Sequence, residues 1–196
     1  MQSDRDTERK EKTQNHTKKK TIKYIERDEA ERAEYLKKLE EIPEAKRVYI
    51  DETGKNTDLD RTHGYAPRGE KVEGVTHGRK PEKLNIVAAK CGDTVMKLLT
   101  YNCVMKSWLF EFWFAMLLEC MSPGYWLIMD NATFHRKNEL CAMAETVGCH
   151  VLFLPAHSPD LNPIEHEWAN LKFFLRNHGR EYASTKFAVA HYFKSA

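Results

Sequence analysis

Several familiar signatures are missing from this sequence. No pair of its five cysteines (Cys91, Cys103, Cys120, Cys141, Cys149) is spaced C-x-x-C, and the number is odd. A disulfide framework or a structural zinc site is not expected, and a reducing cytosol fits best. The N-terminus has no apolar core and reads as no secretory leader. The longest apolar stretch, 108–121, is interrupted by Glu111 and Glu119, which excludes a membrane span. His150, His157 and His166 make no H-E-x-x-H or zinc-finger spacing, and Ser158 lacks a G-x-S-x-G context. Zinc hydrolysis and serine acyl transfer lose their usual marks.

Large apolar side chains are nearly absent from residues 1–20, so residues 1–22 are expected to be a disordered basic tail. From Met1 to Lys23 eight Lys/Arg, Lys18, Lys19 and Lys20 among them, face four Asp/Glu. From Trp168 to Lys194 five Lys/Arg face Glu181 alone. The whole chain carries only +2, so it is the two basic ends that would suit a polyanion; solvated faces have the same look.

What remains supports one globular unit over 46–196, joined to the tail by a linker at 23–45 that holds a helix over 28–41. Asp28 can cap that helix, and Ala33, Leu36 and Leu39 form a narrow apolar stripe. A strand runs from Arg47 to Glu52. Runs near Lys71–Thr76, Leu84–Lys90 and Val95–Thr100 read as a three-stranded antiparallel meander. An aromatic helix follows at about 105–120, then a strand over 125–130 that does not alternate and so is buried on both faces. A helix over 137–147, a strand over 150–154, a helix from Pro163 and a short helix over 184–193 complete the chain. The fold class is α/β: a mixed sheet with an antiparallel meander, flanked by helices.

Two apolar strands end in a carboxylate, Asp51 and Asp130. If they are neighbours, both acids emerge on one sheet edge, where ligands of open α/β sheets collect. Converging carboxylates repel unless a cation lies between them, and hard oxygen donors suit Mg²⁺ or Mn²⁺. Taken alone, Asp130-Asn131 equally suits a turn, and Asp51 an ordinary strand-end charge. Glu165 sits third in a helix that Asn162 can cap and Pro163 can open, so a capping role is open to it as well. Glu165 shares a helix line with Ala169, Lys172 and Arg176, an acid followed by bases, as expected if a metal-bound phosphate lies over it. His135 follows the Asp130 loop and suits either loop stabilisation or substrate contact.

Three blocks then make the chain recognisable. They are Tyr49-Ile50-Asp51-Glu52-Thr53-Gly54, the run from Leu127 through Asp130-Asn131 to His135, and Leu154 through Ser158-Pro159-Asp160-Leu161-Asn162-Pro163-Ile164 to Glu165. They closely resemble the catalytic blocks of D-D-E transposases of the mariner superfamily, in particular its bacterial insertion-sequence six-thirty branch. The 34 residues between Asp130 and Glu165 are the spacing of that branch. The segment from Tyr65 through Arg68 to Gly69 and the helix entry at Phe110–Trp113 resemble its intervening landmarks.

The resemblance implies a ribonuclease H-like fold and a Mg²⁺-dependent endonuclease and strand transferase. Two Mg²⁺ ions, with Mn²⁺ as a substitute, would be held by Asp51, Asp130 and Glu165, supported by Asn131, His135 and Asn162. DNA, as transposon ends and target, would be gripped by Lys172, Arg176, Arg68, Lys18, Lys19 and Lys20. A homodimer and a cytoplasmic, nucleoid-associated place follow by the same analogy. Family members carry helix-turn-helix modules ahead of the catalytic domain; here a charged tail and one helix precede Asp51. A separately encoded helix-turn-helix subunit is one expectation, and a truncated, inactive DNA-binding remnant is the alternative. A nuclease of RNA hybrids or junctions would share the fold.

Overall fold

A computed structural model of the chain describes residues 27–56, 67, 69, 71 and 83–195. The helix expected over 28–41 is α1 (Glu29–Glu40). Asp28 caps it: Oδ1 accepts from the backbone N–H of Ala30 at 2.8 Å and of Glu31 at 3.1 Å. Its buried face differs from the stripe of Ala33, Leu36 and Leu39. Tyr35 is buried and Leu39 partly so, while Leu36 stays 37% exposed. Tyr35 takes the inward position, where its ring packs with Ile128 and Leu154. At the other end, the Arg47 guanidinium donates to the Leu39 and Ile42 carbonyls, tying α1 to the strand that follows.

That strand is β1 (Arg47–Asn56), longer than its apolar core alone suggests. It pairs antiparallel with β2 (Lys83–Cys91), which pairs antiparallel with β3 (Thr94–Tyr101). The meander therefore has β1 as its first strand, whereas the sequence pattern placed that strand at 71–76, which lies almost wholly outside the described residues. The aromatic helix is α2 (Ser107–Leu118). Then come β4 (Trp126–Met129), α3 (Lys137–Thr146) and β5 (His150–Phe153). The chain closes with α4 (Ile164–His178) and α5 (Thr185–Ser195).

The sheet order is β3-β2-β1-β4-β5, and β1, β4 and β5 run parallel. Helices cover both faces. Phe110, Trp113, Phe114 and Leu117 of α2 and Leu140 and Ala144 of α3 pack on Val48, Ile50, Leu127 and Met129. On the other face Ile164, Trp168, Leu171 and Leu175 of α4 pack with α5 on Ile86 and Ala88, and α1 packs on Ile128. The 4-3-4 spacing in α4 lands these four residues in the core, while Phe173 of the same helix stays exposed. Each such large side chain contributes about 1.5–3 kcal/mol by leaving water. Val48 and Ile50 facing one way send Tyr49 and Asp51 the other, since strand side chains alternate. The loop after α3 turns through Gly148, whose φ of +72° is costly for any residue with a Cβ.

Candidate active site

The parallel register decides where the acids meet. Tyr49 lies opposite Ile128 in the ladder. Two residues further along come Asp51, still within β1, and Asp130, the residue after β4 ends, so both lie at the same end of the parallel pair. The strand of the first acid and the strand of the second, distant in sequence, share one carboxyl-end edge.

Asp51 is half-buried. Burial, then the charge of Glu165, raises its pKa to about 7, and Asp130 pushes the same way. The backbone N–H of Glu52 and the Trp168 indole oppose this by hydrogen bonding to the carboxylate. Trp168 Nε1 donates to Asp51 Oδ2 at 2.9 Å. Asp51 therefore feels both other acids as like charges across one site.

Glu165 opens α4, but not as a capping box. Pro163 occupies the cap position, without a side-chain bond, and the Ile164 N–H reaches Asn162 Oδ1 at only 3.4 Å. Asn162 is buried and serves another purpose: its Nδ2 donates to the Ile50 carbonyl at 3.3 Å. The start of the Glu165 helix is thereby tied to the residue before Asp51. Glu165, Asn162, Asn131 and Asp130 line one cavity of about 370 Å³, together with Ser158 and His157.

His135 is buried against Phe110, with ring centroids 4.3 Å apart. Its Nδ1–H donates to the Asp130 carbonyl at 3.1 Å, which fixes the turn after β4. Burial lowers its pKa, so it is a neutral buttress. Nε2 is buried and has no hydrogen-bond partner among the described residues.

Glu52, which the sequence pattern did not single out, lies on the opposite face of β1 from Asp51. Burial raises its pKa to about 7, the Tyr101 hydroxyl donates to Oε2 at 2.8 Å, and Asp130 adds repulsion. Its other oxygen is buried without a partner among the described residues. Glu52, Asp51, Asp130 and His135 share a second cavity of about 80 Å³. Alternation alone could have flagged Glu52, because an acid beside Asp51 in a buried strand must enter the other face. Nothing in the pattern marks Trp168, whose spacing reads only as core.

Among the described residues, no three His, Cys, Asp or Glu side chains close into a ready metal-binding group. The donor set nevertheless fits a hard divalent cation. It consists of carboxylates, one of them held at a raised pKa by burial and by its fellow acids, a strain that a cation would relieve. Lys172 is half-buried and Arg176 exposed, both further along α4, about 10 and 16 Å along the axis from Glu165, so neither lines the cavity. Arg68, Lys18, Lys19 and Lys20 lie outside the described residues.

The family model described as DDE superfamily endonuclease matches residues 46–186. No curated protein matches the chain. Among solved structures, the chain is similar to the mariner Mos1 paired end complex with Mg, with a TM-score of 0.69 at 16% identity, over 94% of this chain and 60% of that one. The Mos1 mariner paired end complex with Mn gives 0.67 at 16%, over 93% and 60%. The catalytic domain of Mos1 mariner transposase gives 0.52 at 14%, over 84% and 78%. This chain thus spans about three fifths of the Mos1 chains in those two complexes. The shared architecture is the ribonuclease H-like mixed sheet with flanking helices. The chain belongs to the DDE superfamily endonucleases.

Proposed function

We propose that this domain cuts and joins DNA as the catalytic part of a transposase, with Asp51, Asp130 and Glu165 as its metal ligands. One observation supports the reading: β1 and β4 pair in parallel up to Tyr49 and Ile128, two residues short of Asp51 and Asp130, and α4, which carries Glu165, is bonded to Asp51 through Trp168. Two divalent ions, Mg²⁺ or Mn²⁺, would supply charge neutralisation at the scissile phosphate and a water or 3′-hydroxyl reactive at neutral pH. Two of the similar structures are Mos1 paired end complexes with Mg and with Mn.

The chain's own residues do the rest. Trp168 holds Asp51 in one rotamer and favours its anion. His135 fixes the Asp130 turn from behind. Asn162 fixes where α4 begins and thus where Glu165 stands. The cavity of about 370 Å³ between Asp130 and Glu165 gives the DNA strand its entry. Lys172 and Arg176, further along α4 and outside that cavity, would hold phosphates away from the cut, with Arg68 and Lys18–Lys20 adding salt-sensitive contacts. Transposon ends and target DNA are the substrates, a homodimer cuts paired ends, and a separate helix-turn-helix subunit reads them. The place of action is the nucleoid in the cytoplasm.

The test is Asp130→Asn and Glu165→Gln in a nicking assay on supercoiled DNA with Mg²⁺. Each is expected to abolish nicking while circular dichroism stays that of the parent. Full nicking by either variant would remove the assignment. A second reading is an inactive DNA-binding remnant. Calorimetry separates the two: no uptake of Mg²⁺ or Mn²⁺ at millimolar concentration, with DNA present, selects the remnant.

A further inference from the structure

Helix α1 does more than connect. Arg32 grips Asp160 with both arms of its guanidinium, Nη1 to Oδ1 at 3.1 Å and Nη2 to Oδ2 at 2.5 Å. Arg27 adds Nη2 to Oδ2 at 3.4 Å. Asp160 lies in a single 3₁₀ turn, Pro159–Leu161, immediately before Asn162 and the α4 start. The Glu165 N–H in turn donates to the Asn162 carbonyl at 3.1 Å. The clamp thus acts two residues from the hydrogen bond that ties α4 to β1.

Three features set this pair apart from an ordinary surface contact. Both arginine side chains are only 13–14% exposed, while the carboxylate is 52% exposed. The fork is bidentate, which fixes direction as well as distance. The same helix face carries Tyr35 into the cluster with Ile128, two residues before Asp130, and with Leu161. One helix therefore touches the strand of one acid and the turn that leads to another.

We infer that Arg32, with Arg27, is a positioning residue that sets the Asp160–Glu165 segment relative to Asp130. The inference rests on the metal-ligand reading of Glu165 for its consequence, though not for the clamp itself. Removing Arg32 frees the turn, so Glu165 samples positions away from the other acids. The loss falls on metal affinity and on order in the segment, and little on global stability. Outer contacts that orient metal ligands typically change affinity by about 10–100-fold.

The experiment uses the full chain and two readouts. Hydrogen exchange of the metal-free protein, read by mass spectrometry, compares parent, Arg32→Ala, Arg32→Lys and Asp160→Asn. Exchange over residues 156–166 is expected to rise about three- to tenfold in Arg32→Ala and Asp160→Asn, with 107–118 and 137–146 unchanged. Arg32→Lys, which keeps the charge but not the fork, falls between. Mn²⁺ titration of the same proteins is expected to show about 10–100-fold weaker binding in Arg32→Ala. Unchanged exchange over 156–166, or a rise spread equally over all three segments, overturns the clamp. If Arg32→Ala does not fold, Arg32→Lys and Asp160→Asn decide by the same comparison. If the parent takes up no Mn²⁺ even with DNA present, the metal reading of the site falls, and the exchange measurement still decides the clamp.

Discussion

Trp168 Nε1 donates to Asp51 Oδ2 across 2.9 Å, so the helix that delivers Glu165 also holds the acid on the central strand. The two acids are coupled through one rigid element, and a single substitution can probe it. Trp168→Phe keeps the buried ring and removes the donor. A hydrogen bond to a carboxylate contributes about 1.5–3 kcal/mol, which sets the upper range for the stability loss by urea unfolding. With that bond gone the Asp51 anion is disfavoured further, so the rising limb of the pH–nicking profile is expected to move to higher pH. An unmoved limb would mean that Trp168 is only packing.

Burial and Glu165 raise Asp51 from its ordinary 3.8 to about 7. The folded protein therefore holds this proton more tightly than the unfolded chain. That contribution is full below about pH 4 and is lost as pH rises to about 7. Glu52 works in the same direction, while His135, lowered by burial, opposes it as pH falls. The informative quantity is the difference between parent and Asp51→Asn without metal. The parent's stability relative to the variant is expected to fall steadily from pH 5 to pH 7, and millimolar Mn²⁺ at pH 8 to restore it. A difference that stays flat across this window contradicts the assignment of the raised acid.

Asn162 is buried and donates to the Ile50 carbonyl at 3.3 Å. Asn162→Ala leaves that carbonyl without its partner in a dry site, a loss of about 1–3 kcal/mol by chemical denaturation. Asn162→Asp should be worse, since it removes the donor and adds a fourth negative charge near Asp51, Asp130 and Glu165. If the aspartate variant proves the more stable of the two, the amide is not the tie between α4 and β1.

Gly148 holds a φ of +72°, and a Cβ there would stand 3.0 Å from the Pro123 Cβ. Gly148→Ala is expected to lower stability by about 1–2 kcal/mol while leaving nicking per folded molecule unchanged. It serves as the control that separates loss of fold from loss of site.

Much of this arrangement is legible in the chain. The run from Trp126 to Met129 announces a strand with neighbours on both sides by failing to alternate, and it stops at Asp130. Ile164, Trp168, Leu171 and Leu175 announce the inner face of α4. What the pattern does not carry is anything fixed by pairing. The neighbourhood of Asp51 and Asp130 depends on a crossover and on register, and neither leaves a local mark. Trp168 bears two roles, and periodicity reports only the larger one, its buried ring. Tyr35 takes the inward position on α1 against Ile128 and Leu154, partners distant in sequence that no property of the helix alone reveals. Arg68 and Lys18–Lys20 lie outside the described residues, and the DNA contacts assigned to them rest on charge alone.

The order of the strands also sets a timetable. The β1–β2 and β2–β3 pairings join near neighbours in sequence, whereas Arg47 must wait for Trp126 before β1 and β4 can pair. Distant pairings form late because the intervening chain has first to be drawn together. In pulse-labelled refolding, amides of β2 and β3 are expected to gain protection before those of β4. A newborn chain would then carry Asp51 long before β4 and α4 bring Asp130 and Glu165 into the fold, so under the proposed function it stays harmless to nearby DNA until its last third has been made and folded.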